Sequence, residues 1–407
     1  MTRKYTNRRY LDAVHERVLI FDGAMGTSLQ KQNLSAEHFG GEKYNGCNDY
    51  LVLTCPEAVE KVHRSFLEVG VDVVETDTFR ANRLTLGEYG LAEKTLEINQ
   101  AAASLARRLA DEYTQKTGQP RFVAGSIGPS GKLPSAEDAE MSNISFDELA
   151  DIFCQQATGL IQGGADVLLI ETSQDILEVK AAIDGVQKAF VETGVWLPLQ
   201  AQVTLDTTGR MLLGTDIGAA LAILEDLPID VIGLNCSTGP DLMRDPIRFL
   251  GENATLPVSC IPNAGLPLNV DGVAVYPLEP APFAETLAEF IEKNNISVVG
   301  GCCGTTPEHL KALVEKVGGR KTSKRPNVPT PRLASATQAV SLIQDPPPFL
   351  IGERCNAQGS KKFKELLMVE DYDAILEIAR GQVTFGAHAL DISTAVTERP
   401  DEDQLMR

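Results

Sequence analysis

No stretch of this sequence is apolar for long enough to span a bilayer, and the opening MTRKYTNRRY has positive charge without the apolar segment of a secretory signal. Membrane insertion and export are therefore not expected, and a cytoplasmic location follows. Positive charge is the minority sign: 37 Lys and Arg against 56 Asp and Glu leave a formal net charge of −19. Polyanions attract Lys and Arg patches and repel surplus carboxylate, which excludes nucleic acid and anionic membrane surfaces as partners. Cysteine is sparse. Eight in 407 residues are too few for a disulfide framework, and in a reducing compartment they read as buried small residues, ligands or nucleophiles. The five histidines, at positions 15, 38, 63, 309 and 388, show no ligand spacing.

Core material, by contrast, is ample: 43% of residues are hydrophobic and 23% charged, ordinary values for a globular chain. The length exceeds what one core usually serves, so a large domain plus a second piece is expected. From about residue 17 one unit repeats, a short apolar run rich in Val and Ile, then a polar or Gly-containing turn, then a longer amphipathic stretch. The eight runs are RVLIFDG, VDVVETDTF, RFVAGSIGP, ADVLLIETS, LPLQAQVTL, IDVIGLNCS, LPVSCIPNAG and ISVVGGCCG. Continuous apolarity marks parallel strands covered on both faces. Between them lie helical patterns such as PEAVEKVHRSFLEVG and SFDELADIFCQQATGLIQGG, with apolar positions three and four apart. Eight alternations over roughly 300 residues predict an α/β fold, a closed (β/α)₈ TIM barrel, across residues 1–317.

Residues 318–348 open basic and turn rich in Pro, Ser and Thr, the composition of an interdomain linker. Residues 349–407 hold FLIGERCNAQGS, one amphipathic helix from about Lys361 to Gly381, and the run HALDIST, which is the first βαβ unit of a second α/β barrel. One such unit cannot bury its own apolar face, so this second barrel is expected to be incomplete here, a truncation.

In such barrels the chemistry sits at the C-terminal ends of the strands. The first run ends in Asp22-Gly23-Ala24-Met25-Gly26-Thr27, the fourth in Glu171-Thr172, the sixth in Asn235-Cys236-Ser237, the seventh in Pro262-Asn263-Ala264-Gly265 and the eighth in Gly301-Cys302-Cys303-Gly304. Three thiols, Cys236, Cys302 and Cys303, thus meet on one rim. Three thiolates with an open fourth position are a common soft set for catalytic zinc. The competing reading is that small Gly and Cys residues simply pack a crowded strand end. Cys154, Cys260, Cys47 and Cys55 read as buried or incidental thiols, and His309, in the helix start Thr306-Pro307-Glu308, reads as structural. Asp22 and Glu171 are candidates for gripping an ammonium group, or else cap helices and face solvent; Glu75, Asp77 and Asp206 occupy similar places with less to recommend them. Backbone N–H groups of the Gly23 to Met25 turn could receive a carboxylate.

DGAMGT, the IET of the fourth run, GLNCS, PNAG and VGGCCGTTPEH, in this order, resemble the homocysteine S-methyltransferase family over about Arg17 to Val317. GERCNAQGS and GAHALDIS resemble the opening of a methyltetrahydrofolate-binding barrel, as in the N-terminal part of the cobalamin-dependent methionine synthases. The resemblance implies zinc on Cys236, Cys302 and Cys303, with Asn263 as fourth ligand when substrate is absent. It implies that Asp22 and Glu171 hold the ammonium of L-homocysteine, that Gly23, Ala24 and Met25 receive its carboxylate, and that Glu353, Asn356 and Asp391 contact the pterin. The implied reaction is methyl transfer to the homocysteine thiolate, giving methionine. Its implied external donor is methylcobalamin on a separate module, recharged from methyltetrahydrofolate. Ser393 and Cys355 depart from the Asn and Thr of the pterin motifs, and the segment alone is not expected to bind folate. Nothing in residues 1–317 resembles a nucleotide or cobalamin site, so the metal is expected near an open mouth. Two alternatives remain: a sibling enzyme using betaine or S-methylmethionine, and a non-catalytic amino-acid-binding barrel.

Overall fold

The computed structural model describes residues 4–270, 273–323, 325, 328–401 and 406. Each of the eight apolar runs forms a strand. They are β1 (Leu19–Ile20), β2 (Val73–Glu75), β3 (Phe122–Ile127), β4 (Val167–Ser173), β5 (Leu199–Val203), β6 (Val231–Asn235) and β7 (Val258–Ile261), followed, after an inserted hairpin, by β10 (Val298–Val299). The hairpin pairs β8 (Leu268–Val270) with β9 (Val273–Val275) and was not legible as strand in the sequence. The barrel strands run parallel in the order β1-β10-β7-β6-β5-β4-β3-β2. The ring closes where Phe21 bridges Val73, with Asp22 N–H donating to the Val73 carbonyl (2.9 Å) and Asp72 N–H to that of Ile20 (2.7 Å). The fold is a (β/α)₈ TIM barrel.

Strand length follows burial: every residue of β3, β5, β6 and β7 is buried, as the unbroken apolar runs require. Inside the ring Leu19, Phe21, Phe122, Val167, Leu169, Val231 and Ile261 form one apolar cluster. Tyr10, on the helix Arg9–Glu16, joins that cluster with edge-on contacts to Phe21 and Phe122 and donates to Gln200 Oε1 (2.6 Å). The outer helices begin and end where local chemistry directs. Pro56 starts Pro56–Val69 and Gly70, at φ +99°, stops it; Ser145 caps Phe146–Gln162 by accepting Glu148 N–H.

A repeated device pins the foot of the ring. Asp72, Asp166 and Asp230, each just before an even-numbered strand, accept the N–H of Ile20 (3.0 Å), Val123 (2.9 Å) and Leu199 (2.8 Å) from the preceding strand. Their charges are met by Arg17 and Arg121, by Arg107 and Arg9, and by the Tyr5 hydroxyl respectively. These carboxylates are buried, and a buried carboxylate persists only when hydrogen-bonded or paired.

Backbone contacts separate Met1–Pro329 with Ala336–Gln338 from Thr330–Ser335 with Ala339–Arg407. In the second unit, β11 (Arg332–Ala334) pairs antiparallel with β12 (Ala339–Ser341), inside the stretch expected as linker, and β13 (Ile351–Asn356) pairs parallel with β14 (Ala389–Ser393). The expected single helix from Lys361 to Gly381 is two helices, Lys361–Met368 and Tyr372–Thr384. Glu370 turns left-handed (φ +57°), and the Asp371 side chain accepts Ala374 N–H (3.1 Å), satisfying a donor that would otherwise lack a partner.

Candidate active site

The chain leaves β6 through an unusual turn. Cys236 and Ser237 both take left-handed backbone angles (φ 60° and 59°), which cost a non-glycine residue on the order of 1 kcal/mol each. Hydrogen bonds hold them there: Cys236 N–H donates to the Ile261 carbonyl (3.1 Å) and Thr238 N–H to the Cys236 carbonyl (2.7 Å). After β10, Gly301 lets the chain pass Thr305, whose Oγ1 would lie 2.4 Å from a Cβ, and Gly304 (φ +79°) turns it away again. Between them, Cys302 N–H donates to the Pro262 carbonyl (2.8 Å) and the Cys303 carbonyl accepts Ala264 N–H (2.9 Å). Strand ends β6, β7 and β10 are thereby tied together.

The result is a sulfur triad. The Sγ atoms of Cys236, Cys302 and Cys303 all lie within 4.8 Å of one another, and Cys236 and Cys303 are 3.9 Å apart. Tetrahedral zinc with Zn–S near 2.3 Å needs sulfurs roughly 3.8 Å apart. Asn263, 2% exposed, adds an oxygen: its Oδ1 is buried with no hydrogen-bond partner, as a ligand atom without its cation would be. A soft three-sulfur set of this spacing fits zinc, and Asn263 precedes Ala264, whose N–H donates to the Cys303 carbonyl. Hydrogen bonds from the Cys236 and Cys302 thiols pull the Cys303 thiol well below its ordinary value. Packing alone does not gather three partly buried thiols on the wall of one cavity.

That cavity, of about 410 Å³, is lined by the triad, by the Asp22 to Thr27 turn and by Glu75, Asp77 and Glu171. Asp22 accepts Glu75 N–H at 3.2 Å, and burial pushes its carboxyl well up, as it does that of Glu75. Glu171 accepts from the Ser126 hydroxyl and from Asn235 Nδ2 (3.0 Å); burial raises it to about 7. Arg80 is the one basic side chain among the described lining residues, and its guanidinium turns to Glu88 (2.9 Å). Buried carboxyls without a counter-charge favour a cationic ligand group.

The sequence-predicted residues Cys236, Cys302, Cys303, Asp22, Gly23, Ala24, Met25 and Glu171 all line this cavity; Asn263 is not among the lining residues and lies buried, its N–H donating to the Thr238 carbonyl (3.1 Å). Ala24 N–H is already engaged by Thr305 Oγ1 (3.2 Å), which leaves less of the Gly23 to Met25 turn for a carboxylate than the sequence suggested. Glu75 and Asp77, ranked low from sequence, are part of the lining, whereas Asp206 is exposed and spends its carboxylate on Thr208. Cys47, Cys55, Cys154 and Cys260 are buried elsewhere. His309 is structural: its ring nitrogens engage Thr306 (3.0 Å) and the Leu278 carbonyl (2.8 Å). Asp49 and Tyr276 were missed. Asp49 comes from the long first loop, which has no periodicity to read, and Tyr276 follows the unforeseen β9. Tyr276 shares the cavity lining with Cys303, and its hydroxyl helps to lower the Cys303 thiol.

In the second unit, Asn356 and Asp391 meet at the ends of β13 and β14, Asn356 Nδ2 donating to Asp391 Oδ2 (2.8 Å). Glu353 is exposed on β13. Cys355 is buried and accepts Gln382 Nε2 (3.2 Å), so it serves the local core.

Comparison with known proteins agrees with this geometry. The homocysteine S-methyltransferase family profile matches residues 19–317, and that of pterin-binding enzymes matches residues 352–407. The methionine synthases of Mycobacterium tuberculosis and Mycobacterium leprae are each 43% identical, over 385 and 387 residues. Each alignment covers 94% of this chain and 31% of the relative, so the chain spans about a third of the length of the curated relatives it matches. The crystal structure of the homocysteine methyltransferase MmuM from Escherichia coli in its metallated form superposes with TM-score 0.60 at 22% identity, over 75% of this chain and 98% of that one. Its apo form gives 0.57 over 76% and 98%. At such identity the superposition speaks for the barrel, and the profile for descent: the chain belongs to the homocysteine S-methyltransferase family of enzymes.

Proposed function

We propose that this chain transfers a methyl group to the sulfur of L-homocysteine, giving methionine, with zinc held by Cys236, Cys302 and Cys303 and by Asn263 when substrate is absent. The observation that carries the reading is the sulfur triad at the mouth of a cavity walled by buried, uncompensated carboxyls. Bound there, zinc supplies the Lewis acidity that lets a thiol lose its proton near neutral pH.

The chain's own residues do the rest. Asp22 and Glu171 hold the substrate ammonium; Glu171 is aimed by Ser126 and Asn235, and Asp22 by Glu75 N–H. The Gly23 to Met25 turn faces the carboxylate. With both ends held, the side-chain sulfur is confined to the triad's side of the cavity, which removes most of the entropy cost of approach. The three cysteines line the cavity, through which a donor can reach the sulfur. A reducing, cytoplasmic setting belongs to this reading, since the triad must stay unoxidised.

The donor in this reading is methylcobalamin, carried by a separate module and recharged from methyltetrahydrofolate in a longer enzyme. It is supported by the pterin-binding match and by the contact between Asn356 and Asp391, which with Glu353 would meet the pterin. One assay tests the whole: homocysteine as acceptor, with methylcobalamin, S-methylmethionine and betaine offered in parallel to zinc-loaded chain. Methionine from methylcobalamin alone supports the reading. Methionine from either small donor alone favours the sibling chemistry, and a chain that purifies without zinc and transfers nothing is an amino-acid-binding barrel.

A further inference from the structure

A site of this kind faces a selectivity problem. Three protein sulfurs and one substrate sulfur would share a cation, and a methyl donor at the mouth must react with only the last. A thiolate becomes a poorer nucleophile when donors occupy its lone pairs or when protein covers its line of approach.

The three cysteines are protected by different means. Cys302 packs against the apolar cluster inside the barrel that contains Phe21, Ile261 and Val298. Cys236 is fixed in the left-handed turn, its N–H donating to the Ile261 carbonyl and its carbonyl accepting Thr238 N–H. Cys303 shares the cavity lining with Tyr276, whose hydroxyl helps to lower its thiol. The Tyr276 ring lies so close to Gly304 that a Cβ there would fall 2.2 Å from its Cγ. Gly304 is therefore the space into which this ring fits, immediately beside Cys303.

We propose that Tyr276 shields Cys303 from methylation, its hydroxyl donating to the sulfur and its ring covering the adjacent approach, so that the substrate sulfur alone reacts. This rests on the metal-thiolate reading above. The suppressed step is a displacement: a lone pair on Cys303 Sγ becomes a new S–C bond while the bond from the methyl carbon to its leaving group breaks, and the leaving group departs with the electron pair of the broken bond. Tyr276 acts through Cys303 and is a positioning residue, not a catalytic one.

The test uses zinc-loaded full chain without homocysteine, treated with methyl iodide, as wild type, Tyr276→Phe and Tyr276→Leu. Zinc content is measured first, and methylation of each cysteine is then followed by peptide mass spectrometry. Phe keeps the ring and loses the donor; it is expected to speed Cys303 methylation by roughly tenfold, the worth of one hydrogen bond to a charged acceptor. Leu loses the cover as well and goes further, while Cys302 changes in neither. Equal Cys303 rates in three zinc-replete proteins overturn the proposal and leave the metal reading intact. Loss of zinc from Tyr276→Phe before alkylation also overturns it, because Tyr276 is given no share in metal retention. A wild type that holds no zinc defeats the underlying reading instead.

Discussion

The sulfurs of Cys236 and Cys303, 67 positions apart in the chain, stand 3.9 Å from one another, a spacing that suits two corners of a zinc tetrahedron. Strands β6 and β10 are not neighbours; β7 lies between them. The triad is thus a property of the closed ring and of the two turns that leave it.

Replacing Cys236, Cys302 or Cys303 by Ala is expected to abolish zinc retention and to lower methyl transfer by more than about a hundredfold, the upper range for losses one shell further out. Cys154→Ala, in the buried face of Phe146–Gln162, should change neither. Metal analysis after dialysis, alongside turnover, checks this; equal zinc in all four variants would remove the triad from consideration.

On the reading proposed above, Asp22→Asn and Glu171→Gln each remove a carboxyl that would hold the substrate ammonium. Hydrogen bonds to charged groups are worth about 1.5–3 kcal/mol, so KM for homocysteine should rise roughly ten- to hundredfold with zinc content unchanged. Steady-state kinetics decide, and an unaltered KM assigns the ammonium to other groups.

His63 gives the barrel an acid weakness. It is fully buried on the helix Pro56–Val69, neither ring nitrogen has a hydrogen-bond partner, and burial lowers it from 6.5 to about 4. The fold holds the neutral ring, so its stability is intact above pH 6.5 and is lost as pH falls toward 4, where only the unfolded chain takes up the proton readily. The loss at pH 5 amounts to roughly 2 kcal/mol. Urea unfolding of His63→Leu at pH 8 and pH 5 should show a smaller gap between the two than wild type by about that amount; an identical gap sinks the idea.

Asp166 at the foot of β4 accepts Val123 N–H and pairs with Arg107, both largely buried. Asp166→Ala orphans the buried Val123 N–H and leaves Arg107 only its exposed partner Asp111, and is expected to cost about 1–3 kcal/mol. Asp12→Ala breaks an exposed pair with Arg8 and should cost less than about 1 kcal/mol. Thermal unfolding of the two variants separates them, and comparable melting temperatures would count against the pinning role of the aspartates.

The barrel was readable because its strands are buried on both faces, so residues such as Val231, Ile232 and Leu234 leave an unbroken apolar signature. The triad was readable because barrel geometry sends every strand end to one rim. Less regular parts were opaque. The β8/β9 hairpin lies in LPLNVDGVAVYP, whose exposed Leu268 and Val270 alternate too briefly to stand out, although the Asp-Gly between the halves is a hairpin signal. The break at Glu370 left the helical periodicity almost undisturbed. Glu75 was undervalued because its significance lies in proximity to Asp22 and Glu171, a tertiary fact that spacing along the chain does not encode.

Thr305 Oγ1 accepts the N–H of Ala24 and donates to the carbonyl of Cys302 (2.7 Å), so one hydroxyl belongs to both the amino-acid turn and the cysteine loop. Any ligand that steadies the turn therefore steadies the loop, and thermodynamic reciprocity demands the converse. On the zinc reading proposed above, the ion would be gripped hardest while the turn is occupied, and would be most vulnerable to chelators in the idle interval between turnovers.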